Sequence, residues 1–194
     1  MRIGILALQG DFAEHEAMVR RADGNAETLQ IRQKRDLDKP IDGLVLPGGE
    51  STTMKKLLLD LGLFEPLRGM ILKGLPVYGT CAGLILLAHE VEGGEVCFGT
   101  MDITVKRNAY GRQLGSFYTT GEFSGMKDVP MTFIRAPYIV RTCGKAVPLA
   151  SVDGKIVAAR EGNQLVTAFH PELNDDRRIY NYFLEMCGTA EHCL

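Results

Sequence analysis

The segment Gly79-Thr80-Cys81-Ala82-Gly83 places a thiol between two glycines, each two residues away. An apolar run, Leu75 to Tyr78, precedes it, and a helical run, Leu84 to His89, follows. The result is the thiol form of the G-x-S-x-G nucleophile elbow. A nucleophile on so tight a strand-to-helix turn leaves no room for a Cβ two residues before or after it, and glycine tolerates the close approach. At a helix N-terminus the sulfur meets the positive end of the helix dipole and free backbone N–H groups, which favour thiolate. The Ala82 N–H would point to where an oxyanion develops. Random ordering of the composition gives roughly 0.06 such patterns in a chain of this length, so the match carries information. The remaining cysteines, Cys97, Cys143, Cys187 and Cys193, read as small hydrophobes.

A thiol nucleophile works with a base, usually histidine, that a third group orients. Among His15, His89, His170 and His192, His170 ends an apolar strand beside a carboxylate, in Phe169-His170-Pro171-Glu172. Residues i and i+2 of an extended segment project to one side, so Glu172 is expected to hold the His170 ring. Pro171 favours extended backbone before it and marks the strand edge. His15, His89 and His192 read as surface or core residues. A second glycine turn, Pro47-Gly48-Gly49-Glu50-Ser51, follows a strand and opens a helix, with Ser51 as the expected N-cap. No G-x-x-x-x-G-K-[ST] phosphate loop is present. Its amides are instead available for the other half of an oxyanion hole.

These residues need a scaffold that brings strand ends together. The first half alternates strands (Ile3 to Leu8, Thr28 to Ile31, Leu44 to Leu46, Leu75 to Tyr78) with helices (Phe12 to Ala22, Ser51 to Leu61, Leu84 to His89). That alternation predicts right-handed βαβ units, a largely parallel sheet, and ligands at the carboxyl ends of its strands. The second half reads as short strands at Asp102 to Val105, Ser116 to Phe123, Thr132 to Ile134, Ile139 to Thr142, Lys155 to Ala159 and Gln164 to Phe169. A closing helix, Asp176 to Cys187, carries Ile179, Tyr182, Phe183 and Met186 on one face. The expectation is one three-layer α/β domain over residues 1–194, the later strands extending or flanking the sheet.

Composition narrows the function. Lys and Arg number 22 against 24 Asp and Glu, leaving no basic excess to drive nucleic-acid binding. The uncharged stretch from Gly74 to Ala88 falls short of the ~18 apolar residues of a membrane span. The start, Met1-Arg2-Ile3-Gly4, runs into a strand pattern without a signal peptide's longer apolar region. Five cysteines, an odd number without a CxxC pair, fit reduced thiols better than disulfides or zinc. The expectation is a soluble cytoplasmic protein.

The order Cys…His-x-Glu behind a Gly-Gly turn resembles the class I (triad) glutamine amidotransferases. Within them it is most similar to the glutaminase subunits of pyridoxal 5′-phosphate (vitamin B6) synthases. The motifs are Leu8-Gln9-Gly10 with Glu14-His15, Gly48-Gly49-Glu50-Ser51-Thr52-Thr53 after Pro47, the elbow, Arg107-Asn108 with Gly111-Arg112-Gln113, Phe133-Ile134-Arg135-Ala136-Pro137, and Phe169-His170-Pro171-Glu172-Leu173. The resemblance implies the flavodoxin-like class I amidotransferase fold, with helices on both faces of a largely parallel sheet and extra antiparallel strands in the second half. It implies Cys81 as nucleophile, His170 as base and then acid, and Glu172 as the group orienting His170. It places amides of Gly49 and Ala82 in the oxyanion hole, and Gly49, Glu50, Ser51, Arg107, Ile134 and Arg135 around L-glutamine. No cofactor or metal is implied. The implied partner is a separate (β/α)₈-barrel synthase that receives ammonia through an internal tunnel, and the glutaminase is expected to be weak until docked. The Gln9-Gly10 loop either helps complete the oxyanion site on docking or is a plain loop. Competing readings are a stand-alone γ-glutamyl hydrolase, the glutaminase subunit of another amidotransferase, and a non-enzymatic scaffold, which would be expected to lack a triad member.

Overall fold

The computed structural model describes residues 1–107 and 116–190. Asn108, Gly111, Arg112, Gln113, His192 and Cys193 lie outside the described residues. A ten-stranded sheet forms around β1 (Arg2–Leu6), β3 (Gly43–Leu46), β4 (Val77–Thr80) and β12 (Gln164–Thr167). These four strands are short apolar runs buried almost throughout, as parallel strands covered on both faces must be. Parallel β2 (Glu27–Ile31) lies on the far side of β1. Beyond β12 the sheet continues through β11 (Lys155–Glu161), β9 (Tyr138–Thr142), β6 (Met101–Lys106) and β5 (Ala88–Glu92), with β10 (Val147–Val152) also on β11. Pairings β12–β11, β11–β9 and β9–β6 are antiparallel. A separate hairpin joins β7 (Ser116–Phe123) to β8 (Met126–Ile134). This is the expected architecture, a parallel half extended by antiparallel strands.

Successive residues of β4 separate the helical layers, because side chains alternate across a sheet. Tyr78 faces α1 (Phe12–Ala22) and α5 (Arg178–Ala190), its ring 6.4 Å from His15, 5.8 Å from Tyr180 and 5.6 Å from Phe183. Gly79 faces the opposite side, where a Cβ would lie 2.7 Å from the Gly83 backbone in α4 (Ala82–Leu87). On that side α2 (Ser51–Asp60) packs against α4, and α3 (Phe64–Leu72) follows α2.

Several boundaries differ from the sequence reading. Strand β4 starts at Val77 and runs through Thr80, so the first elbow glycine belongs to the strand. Helix α4 ends at Leu87, and Ala88–Glu92 instead takes the edge beside β6. Helix α3 and strands β5 and β10 were not anticipated. In α5 it is Tyr180 that enters the core, while Tyr182 lies at its margin against Phe123 and Arg160.

Candidate active site

Cys81 stands between β4 and α4 in a left-handed conformation, at φ 47° and ψ −98°. A non-glycine residue there stores on the order of 1–3 kcal/mol, so its surroundings must enforce it. The Cys81 N–H donates to Thr167 O at 2.8 Å, tying the turn to the end of β12. Both elbow glycines are required sterically: a Cβ on Gly79 would lie 2.7 Å from Gly83, and one on Gly83 only 2.0 Å from Leu46 O. The sulfur is nearly buried and faces Ile134 O at 4.0 Å.

His170 arrives from the end of β12, whose parallel register sets Thr167 opposite Thr80. Its N–H donates to Thr132 O at 2.8 Å, and Asn174 Nδ2 donates to its carbonyl at 3.1 Å. The imidazole lies over Gly48, where a Cβ would come within 2.5 Å of Cε1. Its Nδ1 is 2.6 Å from Glu172 Oε1 and 3.5 Å from Asp11 Oδ2. Glu172 does not reach the ring as the second residue of an extended segment. Pro171–Leu173 form a 3-10 turn, because proline's fixed φ suits a first helical position, and the turn folds the carboxylate back under the imidazole. Burial opposes charge on His170, but the Cys81 sulfur and the Glu172 carboxylate outweigh it and push the pKa up to about 10. Burial likewise opposes ionisation of Glu172, yet His15 and then His170 hold its carboxyl down at about 2.

A cavity of about 440 Å³, within the size range of small-molecule sites, opens over these groups. Cys81, Ala82, Gly49, Glu50, Ser51, Arg107, Ile134, Arg135 and His170 all line it, so of the residues given a catalytic, oxyanion or glutamine role from the sequence only Glu172 is missing from its wall. Glu172 sits behind His170. The expected helix cap is corrected: Glu50, not Ser51, caps α2, its carboxylate accepting from Thr52 N at 3.2 Å and Thr53 N at 2.8 Å. The longer side chain can curl back over the first turn, which leaves Ser51 as a buried first helical residue. The same carboxylate accepts from Arg107 Nη2 at 3.1 Å. Arg135, exposed at φ 44°, is a second strained residue on the wall. The Gln9-Gly10 loop packs on the Gly48-Gly49 turn. Gln9 Oε1 accepts from Glu50 N at 3.1 Å, and Gly10, at φ 84°, has no room for a Cβ beside Gly48 O.

The sequence reading missed two contributors. Asp11 borders the cavity beside His170, and its only signal was its place after Gln9-Gly10. His15 is fully buried beneath the site, 3.1 Å from Thr80 Oγ1 and 3.5 Å from Glu172 Oε1. Its sequence setting fitted a surface or a core residue, and nothing local told a core histidine from one near a carboxylate.

A parallel sheet with a thiol elbow after a central strand and an imidazole–carboxylate pair after its neighbour defines the class I glutamine amidotransferase fold. A crystal structure described as a glutamine amidotransferase superposes with a TM-score of 0.89 at 39% identity, covering 96% of this chain and 98% of that one. A glutamine amidotransferase from Thermotoga maritima shares the fold at TM-score 0.63 and 16% identity, covering 99% and 90% of the two chains. The model of the SNO glutamine amidotransferase family matches residues 5–189, and the chain belongs to that family. It is 60% identical over 190 residues to the pyridoxal 5′-phosphate synthase subunit PdxT of Methanocorpusculum labreanum, covering 97% of this chain and 100% of the relative. It is 55% identical over 192 residues to the subunit of the same name from Streptococcus pneumoniae CGSP14, covering 96% and 97%. Among the described residues no helix is long and apolar enough to cross a membrane.

Proposed function

We propose that this chain is the glutaminase subunit of a pyridoxal 5′-phosphate synthase, hydrolysing L-glutamine to L-glutamate and ammonia for a (β/α)₈-barrel partner. The observation that carries the reading is the strained Cys81 sharing one cavity with a His170 whose far nitrogen is held 2.6 Å from a buried carboxylate. Cys81 is the nucleophile, His170 the base and acid, and Glu172 the group that orients His170. With the thiol proton already on His170, whose raised pKa keeps it protonated at neutral pH, Sγ attacks the side-chain carboxamide carbon as the thiolate. The Gly49 and Ala82 amides receive the oxyanion. The C–N bond breaks as His170 returns the proton to the leaving nitrogen, freeing ammonia and a γ-glutamyl thioester. Water then attacks the thioester, His170 takes and returns a proton, and the C–S bond breaks to release glutamate.

The zwitterionic end of glutamine asks for donors and acceptors. A guanidinium offers five donors, and Arg107 gives one to Glu50, which braces it toward an α-carboxylate. Gly49, Ser51, Ile134 and Arg135 complete the glutamine pocket. The whole chain acts as one glutaminase domain. Four described cysteines are free, which fits a reducing cytoplasm.

Glutamate release from glutamine, measured with and without the barrel synthase, tests the proposal. We expect release to rise sharply on mixing and to vanish in Cys81→Ala with the circular dichroism unchanged. Full turnover without the synthase would instead identify a stand-alone γ-glutamyl hydrolase. Turnover surviving in Cys81→Ala would reject the nucleophile.

A further inference from the structure

Beneath the cavity, on the α1/α5 face of the sheet, lies a polar cluster that the reaction above does not use. We propose that His15 is a positioning residue for that reaction: held by Tyr180, it fixes the Glu172 carboxylate that in turn orients His170. This rests on the glutaminase reading. His15 is fully buried and is absent from the cavity wall, so any influence on the chemistry passes through another group.

The hydrogen positions follow from the partners. Glu172 Oε1 lies 3.5 Å from His15 Nε2, and an ionised carboxylate only accepts, so Nε2 carries the hydrogen. The hydrogen bond of that nitrogen is to Thr80 Oγ1 at 3.1 Å, with the carboxylate as the neighbouring charge. In the neutral ring Nδ1 is the acceptor, and the Tyr180 hydroxyl, 2.7 Å away, donates to it. Tyr180 keeps its proton, because burial and then the charge of Glu172 push its pKa well up. The chain therefore runs Tyr180, His15, Glu172, His170.

The arrangement matters because Glu172 is held from one side. Oε1 meets both histidines, whereas Oε2 is buried and accepts no hydrogen bond from any described residue. Without His15, one contact to His170 would set the carboxylate's rotation, and the unpaired Oε2 would compete for that contact. The imidazole would lose its fixed tilt toward Cys81. His15 is also the foremost group opposing the burial that disfavours ionised Glu172. The other groups facing this carboxylate come from β4 (Tyr78), α5 (Tyr180) and the β12 end (His170), while Asp11, preceding α1, faces His170. Burial and then Glu172 push the Tyr78 pKa well up, so both phenols stay protonated through a neutral pH range.

The test uses full-length His15→Leu, His15→Gln and Tyr180→Phe proteins with the barrel synthase. Its readouts are kcat and KM for glutamine, the pH profile of kcat/KM, and the pH dependence of Cys81 alkylation by iodoacetamide, followed at that residue by mass spectrometry. Losing the polar contact that steadies a buried charge predicts a kcat about 10–100-fold lower in His15→Leu. KM should stay within about twofold, as expected for a residue that does not touch substrate. The acid limb should move to higher pH, because Glu172 protonates more readily without its neighbour. His15→Gln, whose amide can donate toward Glu172, should recover part of kcat, and Tyr180→Phe should show a smaller loss in the same direction. Folded His15→Leu with wild-type kcat and pH profile would overturn the proposal, as would a lowered Tm with unchanged kcat per folded molecule. If His15→Leu does not fold, wild-type pH profiles in both other variants would overturn it. Wild-type protein that releases no glutamate with the synthase would defeat the glutaminase reading instead. The alkylation profile would still report the coupling of His15 to the Cys81 surroundings.

Discussion

An imidazole pressed against a buried carboxylate holds its proton more tightly than one in water, and the carboxylate holds its charge more tightly in return. His170 and Glu172 stand 2.6 Å apart in this relation. The Glu172 pKa lies below its ordinary 4.5, so the stabilisation it brings is present above that value and is lost as pH falls toward about 2. The His170 pKa is raised from 6.5 to about 10, so its contribution is complete below 6.5 and is lost as pH rises through about 10. Thermal melts of wild type and His170→Gln should therefore differ most between pH 4.5 and 6.5, with the gap closing toward pH 10. A gap that stays constant to pH 10 would show that the ring contributes packing alone. At this scale Cys81 could be singled out from the sequence because flanking glycines constrain a turn locally. Glu50 was overlooked as a cap because serine is the commoner choice and a long carboxylate reaches back only when the turn geometry permits.

Two glycines in helices make opposite demands on their elements. Gly83, in the first turn of α4, lies so close to Leu46 O that a methyl group has nowhere to go, whereas Gly69 in α3 has nothing within 4 Å of its would-be Cβ. Gly83→Ala should cost about 1–3 kcal/mol by overpacking, and should lower activity because the elbow must shift. Gly69→Ala should gain about 0.5–1 kcal/mol from helix propensity and reduced unfolded-state entropy. Urea denaturation of the two variants checks both signs, and equal effects would reject the steric account. The strongly periodic helices α1 and α5 were legible in sequence. Helix α3 was not, although Pro66 in its first turn forfeits no helical hydrogen bond. Strands β5 and β10 owe their form to partners at the sheet margin, and such partners leave no local signal.

Across the whole molecule, the site hangs from central strands buried almost throughout. β4 and β12 pair in parallel over Val77–Thr80 and Gln164–Thr167, covered by α4 on one face and by α1 and α5 on the other. Hydrogen exchange should find the amides of these strands opening only with global unfolding, and those of the β7–β8 hairpin opening earlier. Fast exchange in β4 would mean that the strained elbow lacks the rigid support assigned to it. Cys81 and His170, 89 positions apart in the chain, meet because the β4–β12 register sets Thr80 beside Thr167, a pairing between distant segments.

The amino-acid sequence alone settled which groups could react and in what local setting: a thiol between glycines, a histidine and glutamate astride a proline, and alternating strands and helices around them. Those features are governed by backbone sterics and periodicity, which act over a few residues. Packing alone decided that His170 lies over Gly48, that Glu50 binds Arg107, and that His15, unremarkable within α1, stands behind Glu172. Such contacts join segments tens of residues apart or more. Their distances depend on strand register and layer stacking, which no short window of sequence encodes.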